Sequence, residues 1–188
     1  RNPISEDKPA GEDVKYSQEV DQIQQQIDLL YKAQSDGSTT DWELVRDIGI
    51  NILSKQSKDI NIAAYLAIAL QKTNGLQGLA DGAKLLEDLC ANFWESMYPP
   101  KKRMRGRLNA LAWWKEMTMA FLKASMPEEP QDRELVQGLQ DAIKDLDESL
   151  GEKADDAPIL RDILEQIGRM PVKEHEPEPE QEQQAQPD

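Results

Sequence analysis

The sequence predicts an all-α protein, a multi-helix bundle of about seven helices with an extended N-terminal arm and a disordered acidic C-terminal tail. Three observations carry this reading. Apolar residues return every three or four positions in each core-forming segment, no stretch alternates with the period of a strand, and Gly, Pro and Asn punctuate the chain between segments. A length of 188 residues is enough for a real core.

Residues 1–16 hold Pro3, Pro9 and Gly11 among acids and read as the arm. Residues 17–34 set Val20, Ile23, Ile27 and Leu30 on one stripe, and Asp36, Gly37 and Ser38 end that helix. Thr40 or Asp41 caps a second helix running to about Lys55, with Glu43 in its first turn and Trp42, Val45, Ile48, Ile52 and Leu53 as its apolar positions. Residues 60–70 are apolar nearly all round, which places them at the bundle centre and predicts that Leu66 and Leu70 are almost fully buried. Asn74 and Gly75 break that helix. From Leu79 the next one carries Ala83, Leu86, Leu89, Cys90, Phe93 and Met97, ending near Met97 or Tyr98 because Pro99 and Pro100 cannot continue it.

A further helix starts close to Met104 and sets Ala110, Leu111, Trp114, Met117, Phe121 and Leu122 on one arc, with Trp113 at its edge. Two helices with narrower stripes follow over residues 132–150 and 158–169, a peripheral hairpin packed on the bundle or on another copy. The expected organisation is a helical core over residues 1–126, the hairpin of the same domain over 127–170, and a disordered Pro/Glu/Gln-rich linker over 171–188.

Catalytic chemistry finds little support. The sole histidine, His175, falls in the tail, so the folded part lacks an imidazole for a triad, a general base or a metal cage. Cys90, the only cysteine, sits on an apolar stripe and reads as a buried, inert thiol. No phosphate-cradling glycine motif is present, and the acidic clusters spread over different helix sides. The sequence therefore predicts no enzyme, no catalytic, cofactor or metal site, and a binding role instead.

That role has one candidate location. Residues 93–114 read FWESMYPPKKRMRGRLNALAWW, which concentrates Lys101, Lys102, Arg103, Arg105 and Arg107 at the corner between two helices of a chain with net charge −14. The five cations are expected to point outward there. They either neutralise acidic neighbours in the chain or dock to an acidic protein surface, and Trp113 is a candidate contact beside them. The acidic total argues against nucleic acid. No segment is apolar for long enough to insert in a membrane, a lone cysteine gives no disulfide framework, and a reducing cytoplasm is the expected compartment. Arg1 in place of Met predicts a piece of something longer.

Four segments then carry a resemblance: NPISEDKPAGEDVKY, DWELVRDIGINILSKQSKDINIAAYLAIAL, NGLQGLADGAKLLEDLCANFWESMYPP and KKRMRGRLNALAWW. In order and spacing, over about residues 2–114, they resemble the ImpA/TssA family of bacterial type VI secretion systems. Ala10 stands where many relatives have a cysteine, so no role tied to that thiol is carried over. The resemblance implies the shared N-terminal helical domain of an assembly scaffold that associates with baseplate, sheath and tube proteins and forms rings through a C-terminal region. The competing reading is a stand-alone helical adaptor or chaperone-like protein holding an acidic client.

Overall fold

The computed structural model describes residues 1–32 and 38–174. Its helices are α1 (Gln18–Asp28), α2 (Trp42–Lys55), α3 (Ile60–Phe93), α4 (Met104–Ala124), α5 (Arg133–Lys153) and α6 (Arg161–Ile167), with a 3-10 turn over Lys101–Arg103 just before α4. Among the described residues extended pairing is limited to isolated bridges, so the fold is all-α.

Side chains that satisfy the first free N–H groups set the helix starts. Ser17 accepts from Val20 N at the head of α1, Asp41 from Leu44 N at α2, and Asp59 from both Asn61 N and Ile62 N at α3. Asp132 does the same for α5. Helix α1 ends earlier than its stripe suggests, at Asp28, because the backbone tightens into i→i−3 bonds from Leu30 N to Ile27 O and Tyr31 N to Asp28 O.

Among the described residues six helices stand where seven are expected, because the break at Gly75 is a single non-helical residue and the two helical arms on either side of it run on as one element, α3. Gly75 adopts φ 60° and ψ −134°, open to glycine and strained for any L side chain. The two arms of α3 then fold back on each other. A Cβ on Gly78 would stand 1.9 Å from Leu70 O, and one on Gly82 would stand 2.9 Å from Ala67 Cα. Glycine is what permits that approach.

The first arm of α3 is the centre of the core, with Ile60, Ile62, Ala63, Ala64, Leu66, Ala67, Ile68 and Ala69 buried. Leu70 is only partly buried, against the expectation of full burial, since it sits at the margin of the core beside the turn. Helix α2 packs on this arm, its Gly49 meeting Leu66. Helices α5 and α6 pack on the main bundle: Val136, Leu139, Ile143, Leu146, Ile163 and Ile167 join the same continuous core as α3 and α4.

Both ends of the described structure are tied down. Glu12 N donates to Gln56 O at 3.0 Å, Lys58 N donates to Ala10 O at 2.8 Å, and Ala10 and Val14 are buried, so the arm is a packed element. The same 56–60 segment pairs onward with Tyr98, through Tyr98 N to Lys58 O and Ile60 N to Tyr98 O. At the other end Gln131 N donates to Pro171 O and Lys173 N to Gln131 O. Residues 171–173 are therefore paired rather than part of a disordered linker, because Val172 packs on the core beside them. Residues 175–188, with His175 and the rest of the expected tail, lie outside the described residues.

Candidate protein-docking site

The chain leaves α3 at Phe93, four residues short of the expected end, and reaches the 3-10 turn through a cis Tyr98–Pro99 peptide. Arg107, in the first turns of α4, determines that path. Its Nε donates to Pro99 O at 2.7 Å, Nη2 donates to Met97 O at 2.7 Å, and Nη1 donates to Trp94 O. The guanidinium also lies 5.1 Å from the Trp94 ring centroid, over the indole face. These carbonyls are left without helical partners where α3 ends, and a planar fork of N–H donors suits them. Arg107 is fully buried, and burial lowers its proton affinity from the usual guanidinium range.

Arg107 is thus a correction to the outward-facing set of five. It occupies the apolar arc of α4 three, four and seven positions before Ala110, Leu111 and Trp114, and so faces the core. The other four cations are exposed. Lys101 Nζ donates to the Glu95 carboxylate at 2.8 Å, which holds that carboxyl below its ordinary value. Among the described residues the side chains of Lys102, Arg103 and Arg105 have no hydrogen-bond or ion-pair partner. Trp113 is half-buried: its indole N–H donates to Tyr31 Oη at 2.7 Å and its ring meets Tyr65 edge-on, with centroids 5.1 Å apart.

A cleft of about 400 Å³ opens beside this corner, bounded by the arm, α1, the first turn of α3 and the start of α4. Tyr65, Ile62, Val20, Pro99 and Gly106 give it apolar walls, Arg103 stands at one side, and Asp59 and Asp13 line it with carboxylates. Burial raises the proton affinity of Asp59, and the N–H donors of Asn61 and Ile62 oppose that rise. The sequence alone gives no sign of this cleft. Its lining residues come from four separate elements, and only Asp59, as a cap before an apolar run, has a local signature.

Elsewhere the chemistry is quiet. Cys90 is buried and its thiol is pushed up to about 12 by loss of solvent. Among the described residues no group of three or more His, Cys, Asp or Glu is placed to hold a metal ion.

Residues 1–116 match the family described as ImpA, N-terminal, type VI secretion system. The chain belongs to that family. The ImpA N-terminal segment contains the arm, the cleft, the basic corner and Trp113, and leaves out most of α4 beyond Trp113 together with α5 and α6. Over 105 residues the chain is 30% identical to the type VI secretion system component TssA1 of Pseudomonas aeruginosa, an alignment spanning 51% of this chain and 29% of that protein. The fold matches the N-terminal domain, including the conserved ImpA_N region, of the TssA component from Burkholderia cenocepacia. That match has a TM-score of 0.71 at 24% identity and covers 89% of this chain and 88% of the other. Membership removes the alternative of an adaptor unconnected with secretion. Among the described residues no helix is long and apolar enough to cross a membrane.

Proposed function

We propose that this chain is the N-terminal docking domain of a non-enzymatic assembly scaffold in a type VI secretion system, working on the cytoplasmic side of the apparatus. It holds an acidic surface of a baseplate, sheath or tube protein through Lys101, Lys102, Arg103 and Arg105. Arg107 fixes the shape of the corner from behind. Trp113, its N–H already engaged by Tyr31, serves as a rigid wall next to the contact. The observation that carries this reading is the set of three exposed cations, Lys102, Arg103 and Arg105, unpaired among the described residues of a chain whose net charge is −14. Internal neutralisation accounts for Lys101 alone.

In the full-length protein, self-association through a C-terminal region supplies a multivalency that compensates for weak single contacts. Pull-down of purified baseplate, sheath and tube proteins tests the docking role. The wild-type chain is expected to retain one of them in a salt-sensitive way, and a folded Lys102→Glu/Arg103→Glu/Arg105→Glu variant is expected to lose it. Equal retention by both proteins rejects the corner as the docking surface.

A further inference from the structure

The cleft beside the basic corner has a composition that contact with an acidic surface alone does not require. One wall is an aromatic face held in place, since Tyr65 abuts the edge of Trp113 at 84° between ring planes. Asp59, only 6% exposed, lines the same cleft. Its Oδ1 accepts from Asn61 N, Asn61 Nδ2 and Ile62 N, whereas among the described residues no donor reaches Oδ2. A cleft lined by apolar side chains and by a carboxylate oxygen that no protein donor occupies favours a side chain that is apolar along its body and a hydrogen-bond donor at its tip. A purely aliphatic group would desolvate Asp59 without replacing the lost water. A phosphate would meet Asp13, Asp21 and Asp59 together. Arg103 and Lys15 line the same cleft and oppose a simple cation.

We propose that the cleft and the corner form one bipartite peptide site: a tyrosine of an acidic partner segment enters the cleft, and the acids on either side of it lie across Lys102, Arg103 and Arg105. The ring packs between Tyr65 and Pro99 while the phenol O–H donates to the free Asp59 oxygen. Charge complementarity selects the acidic flanks and the cleft selects the residue between them. This inference rests on the docking reading and specifies what that surface recognises.

The probe is the capped peptide EDYDE, titrated into the isotope-labelled protein and followed by backbone amide shifts, alongside EDFDE, EDADE and KKYKK. Saturable shifts are expected at Tyr65, Arg103 and Gly106. Replacing the tyrosine by phenylalanine is expected to weaken binding about tenfold, the loss of one hydrogen bond to a charged group, and alanine is expected to weaken it further. Arg103→Glu is expected to abolish binding of every acidic peptide. Gln24→Trp enlarges an exposed side chain on the cleft wall and is expected to remove the preference for EDYDE over EDADE while keeping the native melting temperature. Equal affinities of EDYDE and EDADE, both lost in Arg103→Glu, overturn the cleft and leave the docking corner standing. Failure of all the acidic peptides to bind, or tighter binding of KKYKK, overturns the bipartite site as a whole.

Discussion

The Arg107 guanidinium lies across the Trp94 indole while donating to the carbonyl oxygen of Trp94 itself, so one side chain holds both the ring and the backbone at the end of α3. Two further donations, to Met97 O and Pro99 O, complete the turn that presents the exposed cations. Arg107→Leu leaves these buried acceptors without donors and is expected to destabilise the domain by about 2–5 kcal/mol. Arg107→Lys is expected to recover only part, because an ammonium cannot reproduce the fork. Urea denaturation measures both; a change of a few tenths of a kcal/mol for Arg107→Leu would remove the structural role given to this residue.

The hairpin in α3 makes opposite predictions for two glycines. Gly78→Ala drives a methyl group into Leu70 O and is expected to cost more than about 2 kcal/mol, whereas Gly138→Ala, with nothing within 4 Å of the added carbon, is expected to stabilise α5 by about 0.5–1 kcal/mol. Thermal melts of the two variants rank them. Similar shifts for both would contradict the close approach of the α3 arms.

Cys90 gives a pH signature. Its thiol rises from the ordinary 9.0 to about 12 on folding, so the unfolded chain releases that proton first as pH rises. The unfolded state then binds fewer protons than the native state, and stability falls between pH 9 and about 12. Subtracting the pH profile of Cys90→Ala isolates this loss from other groups that titrate there. The same burial predicts negligible reaction of the native thiol with a disulfide reagent at pH 8, and rapid reaction after unfolding. Fast native reaction would contradict the burial.

Two truncations distinguish the paired residues 171–173 from the segment beyond Glu174. Removing residues 175–188 is expected to leave the melting temperature unchanged, since that segment has no large apolar residue to bury. Ending the chain at Met170 removes the two hydrogen bonds with Gln131 and the packing of Val172 and is expected to lower it by several degrees. Equal melting of the two truncations would contradict the pairing.

Much of the fold is legible because periodicity reports burial. Asp41 marks a helix start by residue type, the stripes beginning at residues 17 and 132 mark two more, and the apolar run from Ile60 locates the central helix. The candidate site is less legible for two physical reasons. Arg107 has the charge of its neighbours in sequence but the spacing of Ala110, Leu111 and Trp114; giving periodicity precedence over charge places it inside. The cleft depends on contacts across long separations, such as Tyr98 Oη donating to Gly11 O across 87 positions, which no local pattern encodes. Gly75 is visible as a breaker, but whether a glycine ends a helix or folds it back is decided by what packs around it, here Gly78 and Gly82.

The most direct test of the account is the affinity of the domain for its isolated secretion partner as salt is varied, for wild type and for Lys102→Glu/Arg103→Glu/Arg105→Glu. Exposed, unpaired cations contribute little to folding, so the variant is expected to melt within a few degrees of wild type. Its binding is expected to fall by at least about tenfold at low salt, and the two affinities are expected to converge as salt screens the contact. A folded variant that binds like wild type at every salt concentration would contradict the assignment of this corner as the docking surface.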